Sequence, residues 1–504
     1  MKRNRLWIGF VVVLVFGLVL TPLRVHLLTA AEGAEIEGTE PELSLESESE
    51  EEGTTEVLII DTEEAPAEQE SADDESAEDP VAEEGEDSGE VSDPAEIETI
   101  HDEKRLVSQI EYNEDGHEVL EKYDEPLPEG LIMELDYTDY WVSPQYVVVL
   151  SGSVNIRKGP STEFEVIRRG YYGEKFSLSE KVRGEYFSKS DSDEWFKLFW
   201  WENGEMVSGY VYSPIVSPRE FRFSEMFEKV TDLKVAVDAT DTGYIYNVGN
   251  SVGRPPRYKG QYLEDEYNVP RHQAAPAYRE ADWDASNMRY MQDGILLAIL
   301  EETESFYKVN AYDYEGEYYV PKRYVTRRNA IEDLKQVIVV DIANQNQGTF
   351  EYRDGMWHLI SYSYATTGAD SKYKEPTIPG SYQVIGKQDF FRYRDDITKV
   401  IAGYAPYALR FNGGAFIHGV PVNYKLVKQT FVIQEEILDE EGNVIQERVT
   451  EERIVDRLDP GHIEYSGSLG TVPLSHKCVR NITSHAKFLY DWVVLGEASV
   501  VVID

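Results

Sequence analysis

The chain has 504 residues, with 48 Lys and Arg against 95 Asp and Glu, and so a formal net charge of −47. That sign excludes binding to a phosphate backbone as its main business. A single cysteine excludes an intrachain disulfide framework, and 36 glycines with 22 prolines exclude a collagen-like chain.

At the N-terminus Lys2, Arg3 and Arg5 precede the apolar run Leu6 to Leu20. A positive flank before an apolar core is an export signal. The run is short for a span of about twenty residues, although Leu23 to Leu28 extend it past Pro22 despite Arg24. Ala30 and Ala31 offer an imperfect cleavage site. Residues 1–31 are therefore expected to be a signal peptide or a membrane anchor, and the rest to lie outside the cytoplasm, in the cell wall or tethered to the membrane. No lipid attachment near the start is available, because the only cysteine is Cys478.

Between Glu32 and Ile100 stand 29 carboxylates and no lysine or arginine. Such a segment cannot bury enough apolar surface to offset chain entropy, so 32–130 is expected to be an acidic, disordered tether. As an unperturbed coil, about 70 residues would reach on the order of 45 Å, and self-repulsion extends that.

The composition then turns aromatic and β-rich. Tyr146 to Leu150 is a strand candidate. After it come SVNIRKGPSTEFEVIRRGYYGE and EWFKLFWWENGEMVSGYVYS. Asn155, Arg157, Gly159, Pro160, Ser161 and Thr162, then Trp195, Lys197, Gly209, Tyr210 and Val211, resemble the two signature elements of bacterial SH3 domains. That places one SH3-like barrel at 131–222. A weaker copy is expected at 223–330, where FYKV and EGEYYVPKRYV echo the end of the first. In this setting the resemblance implies wall-binding or spacing units; without a ligand groove the same aromatics serve only as barrel core.

From 331 to the end the reading turns to chemistry. QVIVVDIANQNQGTFEYRDG reads as two strands around a turn. TFVIQEEILDEEGNVIQERV, Thr430 to Val449, alternates apolar and charged residues on both sides of Asp439 to Asn443, the pattern of a β-hairpin, within an insertion near 425–463. Ser484 to Leu495 carries Phe488, Leu489, Trp492, Val493 and Leu495 at helical spacing, and Gly496 supplies the stop. Cys478 sits in SHKCVRN. In an exported chain an unpaired thiol points to reactivity, and a thiol needs a base or a positive neighbour to become a nucleophile. His476, Arg480 and, upstream, His418 in FNGGAFIHG supply such groups. A zinc site built from His418, His462, His476 and Cys478 lacks the usual ligand spacing, so no metal and no cofactor are expected.

TTG at Thr366 to Gly368, PTIPGSYQV at Pro376 to Val384, FNGGAFIHG, SLGTVPLSHKCVRN and the closing LYDWVVLGEASVVVID follow one another in the order of the L,D-transpeptidase (YkuD-type) family, which they resemble over roughly 335–504. The resemblance implies a β-sandwich catalytic domain, giving a mainly β chain of two SH3-like barrels and that sandwich. It implies cross-linking of peptidoglycan stem peptides within the glycan wall through a cysteine acyl-enzyme, and acylation of that cysteine by carbapenems. Cys478 would be the nucleophile and His418 the base, oriented by the Gly419 carbonyl. His476, two residues before the cysteine on an extended segment, would point to the thiol's side. Ser475 and Arg480 would contact substrate, Arg480 by gripping a carboxylate or else serving in a structural ion pair. The remaining histidines, His26, His101, His117, His272, His358, His462 and His485, are expected to play no part. Two departures stand out. Lys477 occupies a position where the family has glycine, whose freedom at positive φ allows a tight turn; its ammonium would favour the thiolate. His418 and Cys478 are also 478 − 418 = 60 positions apart, the hairpin lengthening the connection and overhanging the site. An L,D-carboxypeptidase and a non-catalytic wall-binding scaffold remain the alternatives.

Overall fold

The computed structural model describes residues 111–504 except 141, 248–262, 284–287, 373, 395–400, 439–443 and 464–467, and only the backbone of 423–463. The signal or anchor segment and most of the acidic tether therefore lie outside the described residues. All described residues belong to one compact unit, Asp102–Asp504. Among them no helix is long and apolar enough to cross a membrane. The architecture is mainly β, organised as three sheets.

The first sheet has eight strands. Its path runs Val166–Tyr171, Ser153–Arg157, Glu205–Tyr212, Ser192–Glu202, Lys175–Phe187, Gln145–Val148 and Ser217–Glu220. Alternation builds it: in Ser153–Arg157 only Val154 and Ile156 turn inward. Val147, Ile156, Phe176, Phe196, Leu198 and Val211 close its core. Two boundaries shift from expectation. Val119–Lys122, assigned to the tether, pairs with Lys175–Phe187, and Leu131–Met133, assigned to this barrel, pairs in parallel with Met356–Thr366 of the C-terminal sheet. The stretch without lysine or arginine ends soon after residue 100, and Tyr123, Leu127 and Leu131 downstream carry enough apolar surface to pack.

Residue 223, where the sequence led one to expect the weaker SH3-like copy to start, opens a helix instead. Phe223–Asp238 forms helix α1. Phe223, Met226, Val230, Leu233 and Val237 recur at steps of three and four, one helical stripe, and bury against Val337, Val339 and Phe350. A seven-stranded sheet follows, in the order Met288–Gln292, Ala274–Tyr278, Glu317–Pro321, Phe306–Ala311, Leu296–Glu302, Asp241–Ile245, Val325–Thr326.

The C-terminal sheet is one continuous path of strands. From one edge it runs Gly380–Gln383, Ala498–Ile503, Gln336–Asp341, Asn346–Arg353, Met356–Thr366, Val479–Asn481, Ala415–His418, Ile401–Asn412, Val422–Leu438, Val444–Ile463, and Gly386–Arg394 pairs separately with Ile401–Asn412. Met356–Thr366 joins its halves. Most of its length pairs with Asn346–Arg353, and only Ala365 and Thr366 pair with Asn481 and Arg480. The expected hairpin forms and is longer than its alternating core: Val422–Leu438 pairs antiparallel with Val444–Ile463 from Val422↔Ile463 to Leu438↔Val444. Helix α2, Thr483–Trp492, matches the expected helix with its end three residues earlier, at the extended backbone of Val493.

One hydrophobic core spans the second and third sheets. Ile245, Met291, Leu297, Val309 and Tyr318 from the former pack with Ile338, Ile417, Val479 and Val500 from the latter and with Leu489 of helix α2. The seven-stranded domain is thus not a bead on a string.

Candidate active site

The short strands Ala415–His418 and Val479–Asn481 lie side by side in parallel, with Ile417 opposite Val479 and His418 opposite Arg480. Side chains two apart share a face. Ile417 and Val479 point into the shared core. The other face therefore carries Phe416, His418, Cys478 and Arg480. An adjacent strand pair is what brings two segments 60 positions apart onto one surface.

His418 is 3% exposed. Its Nδ1 lies 2.6 Å from the Gly419 carbonyl oxygen. A carbonyl only accepts, so Nδ1 carries the hydrogen and Nε2 keeps its lone pair. Gly419 has no room for a side chain, since a Cβ would meet Pro406 Cγ at 2.9 Å and Thr483 Oγ1 at 3.1 Å. Its own amide bonds Pro406 O at 2.9 Å. The ring is flanked at 6.5 Å by Phe391, which stacks on Phe416 at 4.2 Å.

Cys478 packs with Ala408 and Phe416 and is buried. Its Sγ lies 3.8 Å from Gly414 O. Burial pushes the thiol up to about 11, outweighing the Phe416 amide and the Arg480 and Lys477 charges that pull it down. Burial likewise pushes His418 down to about 4, against the Gly419 bond, with Arg480 adding to the depression. The resting pair is thus neutral thiol and neutral imidazole. Sequence reasoning expected the surrounding positive groups to favour a thiolate; desolvation of the enclosed sulfur overrides them.

Ser475 is buried and its hydroxyl donates to the carbonyl of Cys478. That bond braces the cysteine turn and leaves the hydroxyl turned inward. His476 is exposed, and the backbone between it and Cys478 is a bend, not an extended segment. The alternation that would have put His476 on the thiol's side does not operate there. Lys477 adopts φ +71°, the left-handed turn a glycine takes without strain. The lysine keeps the backbone shape and buries its side chain. Its amide bonds Glu375 O at 2.8 Å, and its Nζ sits 3.2 Å from Gln292 Oε1 and 3.7 Å from Glu375 Oε2. The TTG element lies alongside: Gly368 N donates to Thr377 Oγ1 at 2.7 Å, which donates to Lys477 O at 3.1 Å.

Other histidines distribute as follows. His485 is fully buried, bonding Asn481 Oδ1 at 2.9 Å and Ser361 Oγ at 3.0 Å, and burial holds it down to about 3. His358 pairs with Glu134 at 3.1 Å. His272, placed by sequence outside the catalytic region, sits within electrostatic reach of Glu375, Lys477 and His476. Sequence reasoning also missed Gln273, Gln292 and Asp293. Gly414 N donates to Gln273 Oε1 at 3.1 Å, and Asp293 Oδ2 accepts from Gly413 N at 2.9 Å and from Arg410. No local signal marks them, because they reach the site only through domain packing.

No family model matches the chain, and no curated protein matches it. Among solved structures it is similar to an L,D-transpeptidase from Mycobacterium smegmatis, with 13% identity, 48% of this chain and 88% of that one covered, and a TM-score of 0.23. It is similar to L,D-transpeptidase 3 from Mycobacterium tuberculosis, with 15% identity, 41% and 79% coverage and a TM-score of 0.23. A fused Zn-dependent amidase/peptidase/peptidoglycan-binding protein from Clostridium acetobutylicum shows 20% identity and a TM-score of 0.20, over 34% of this chain and only about half of that one, 52%. Likeness at this level defines no family, and the chemistry has to be read from the chain's own residues.

Proposed function

We propose that the chain is an extracytoplasmic peptidoglycan L,D-transpeptidase that works through a Cys478 acyl-enzyme. The observation that carries this is the pair of adjacent strands that puts Cys478 and a tautomer-fixed His418 on one sheet face. In the proposed cycle Sγ attacks the amide carbonyl of a donor stem while His418 Nε2 takes the thiol proton. The imidazolium returns that proton to the departing amine, leaving a thioester. An acceptor amine then attacks, His418 removes its proton, and the thiol is restored. Because the resting pair is neutral, proton transfer accompanies attack. Arg480, charged on the same face, suits a carboxylate of the stem. Beside Val420 and Thr483, a cleft of about 840 Å³ presents the exposed rings of Tyr140, Tyr172 and Trp201 to the glycan strand.

The hairpin starting at Val422, four residues after His418, favours a second reading, in which it covers the acceptor side and water serves as acceptor, as in an L,D-carboxypeptidase. Muropeptides incubated with the protein and analysed by mass spectrometry separate the outcomes. Cross-linked dimers support transpeptidation and trimmed monomers the carboxypeptidase. An unchanged mixture refutes both and leaves a wall-binding scaffold.

A further inference from the structure

We infer that the seven-stranded domain is half of the reactive centre, and that its Gln292 holds the Lys477 ammonium beside Cys478 as a fixed positive charge that activates the thiol. The inference rests on the proposal that Cys478 is the reacting group.

Three observations carry it. First, both walls of the thiol are held from this domain. Asp293, fully buried, accepts from Asn247 N at 2.6 Å and Gly413 N at 2.9 Å and pairs with Arg410. Gln273 accepts from Gly414 N at 3.1 Å. These bonds fix the turn whose Gly414 carbonyl the sulfur touches. Second, Gln292 is fully buried and its orientation is set. Its Nε2 donates to Pro270 O at 2.8 Å, which leaves Oε1 aimed at Lys477 Nζ, 3.2 Å away. Third, Lys477 is 3% exposed and sits at a positive φ, where a side chain adds a backbone cost. A turn needing only shape is best served by glycine. A buried lysine kept at such a position, with partners built for it in another domain, is there for its charge.

The titratable and charged groups at this cluster are Glu375 and Asp293 around Lys477, His272 within reach of Glu375, Lys477 and His476, and Arg480 with the neutral His418 on the sheet face of the thiol. Burial pushes Lys477 down from its ordinary value, and Glu375 and Asp293 oppose that shift in favour of the ammonium form. The ammonium and Arg480 in turn lower the thiol's resistance to ionisation. Gln292 is a positioning residue; it acts through Lys477.

The test is iodoacetamide alkylation of the full-length chain, followed by intact mass between pH 7 and 9. With one cysteine in the chain, every adduct reports Cys478. Lys477→Met and Lys477→Gly are each expected to slow alkylation about tenfold at pH 7, equivalent to raising the thiol by about one pH unit. Lys477→Arg should restore most of the rate. Gln292→Met should fall between, with its melting temperature near that of the parent. The two variants discriminate together, because the glycine removes the charge without strain at φ +71° and the methionine removes it while keeping the buried bulk. Wild-type alkylation in Lys477→Gly refutes the electrostatic role. Wild-type alkylation in Gln292→Met refutes the part assigned to the preceding domain. Alkylation does not depend on any peptidoglycan substrate. If the variants behave as expected while muropeptides stay unchanged, the transpeptidase proposal fails and this inference stands.

Discussion

A base held at about 4 makes an unusual demand on the pH profile of acylation. At pH 5 an imidazole titrating at about 4 is only about 9% protonated, whereas one at its ordinary 6.5 is about 97% protonated. The usable base then differs about thirtyfold between the two cases at that pH. The depression comes first from burial, and the fixed Nδ1 bond to Gly419 opposes it only in part. Cys478 sits at about 11, so no ionisation of the resting pair is expected between pH 5 and 9. The rate of single-turnover acylation by a carbapenem, followed by intact mass, should be nearly flat over that interval. Gly419→Ala should damage the profile itself, since the added methyl displaces the carbonyl that fixes the ring. An acid limb centred near 6.5 in the wild type would refute the reasoning and indicate a thiolate–imidazolium pair in a more open site.

Cys478→Ala should abolish both cross-linking and the carbapenem adduct; because the thiol is buried with Ala408 and Phe416, stability should fall by about 1 kcal/mol, and an adduct persisting in the variant would place the nucleophile elsewhere. His485→Gln should flatten the loss of stability on acidification. A histidine lowered to about 3 favours the protonated unfolded chain as pH falls below 6.5, costing about 2 kcal/mol by pH 5. Urea unfolding at pH 7 and 5 measures it, and equal pH dependence in parent and variant would overturn the assignment. Replacing Thr430 to Val449 with a short glycine-containing turn should leave acylation intact and change the acceptor profile or raise thioester hydrolysis; a stable variant with unchanged acceptor use and hydrolysis ends the reading of the hairpin as an overhang on the site, and an unfolded one makes the hairpin structural. Asp293→Ala should cost about 3–5 kcal/mol, because it strands the part-buried Arg410 guanidinium and two amides; urea unfolding reads this directly.

Local pattern alone carried much of this protein. The two-residue period of Val154 and Ile156, the helical spacing of Phe488, Leu489 and Trp492, and the alternation around Asp439 to Asn443 all specify elements whose hydrogen bonds close within a short stretch of chain. The same holds for His418 and its Gly419 carbonyl, neighbours in sequence. Helix α1 was equally legible in the spacing of Phe223, Met226, Val230, Leu233 and Val237, and was hidden only by the echo of a barrel around it. Ionisation was not legible. Whether Cys478 rests as thiol or thiolate depends on how much water surrounds the sulfur, and that is set by Phe416, Ala408 and the depth of the fold. Nor could the chain order reveal that Gln273, Gln292 and Asp293 belong to the site. Long-range packing joins the seven-stranded and C-terminal sheets in one core, and only that packing brings a glutamine to a lysine 185 positions away.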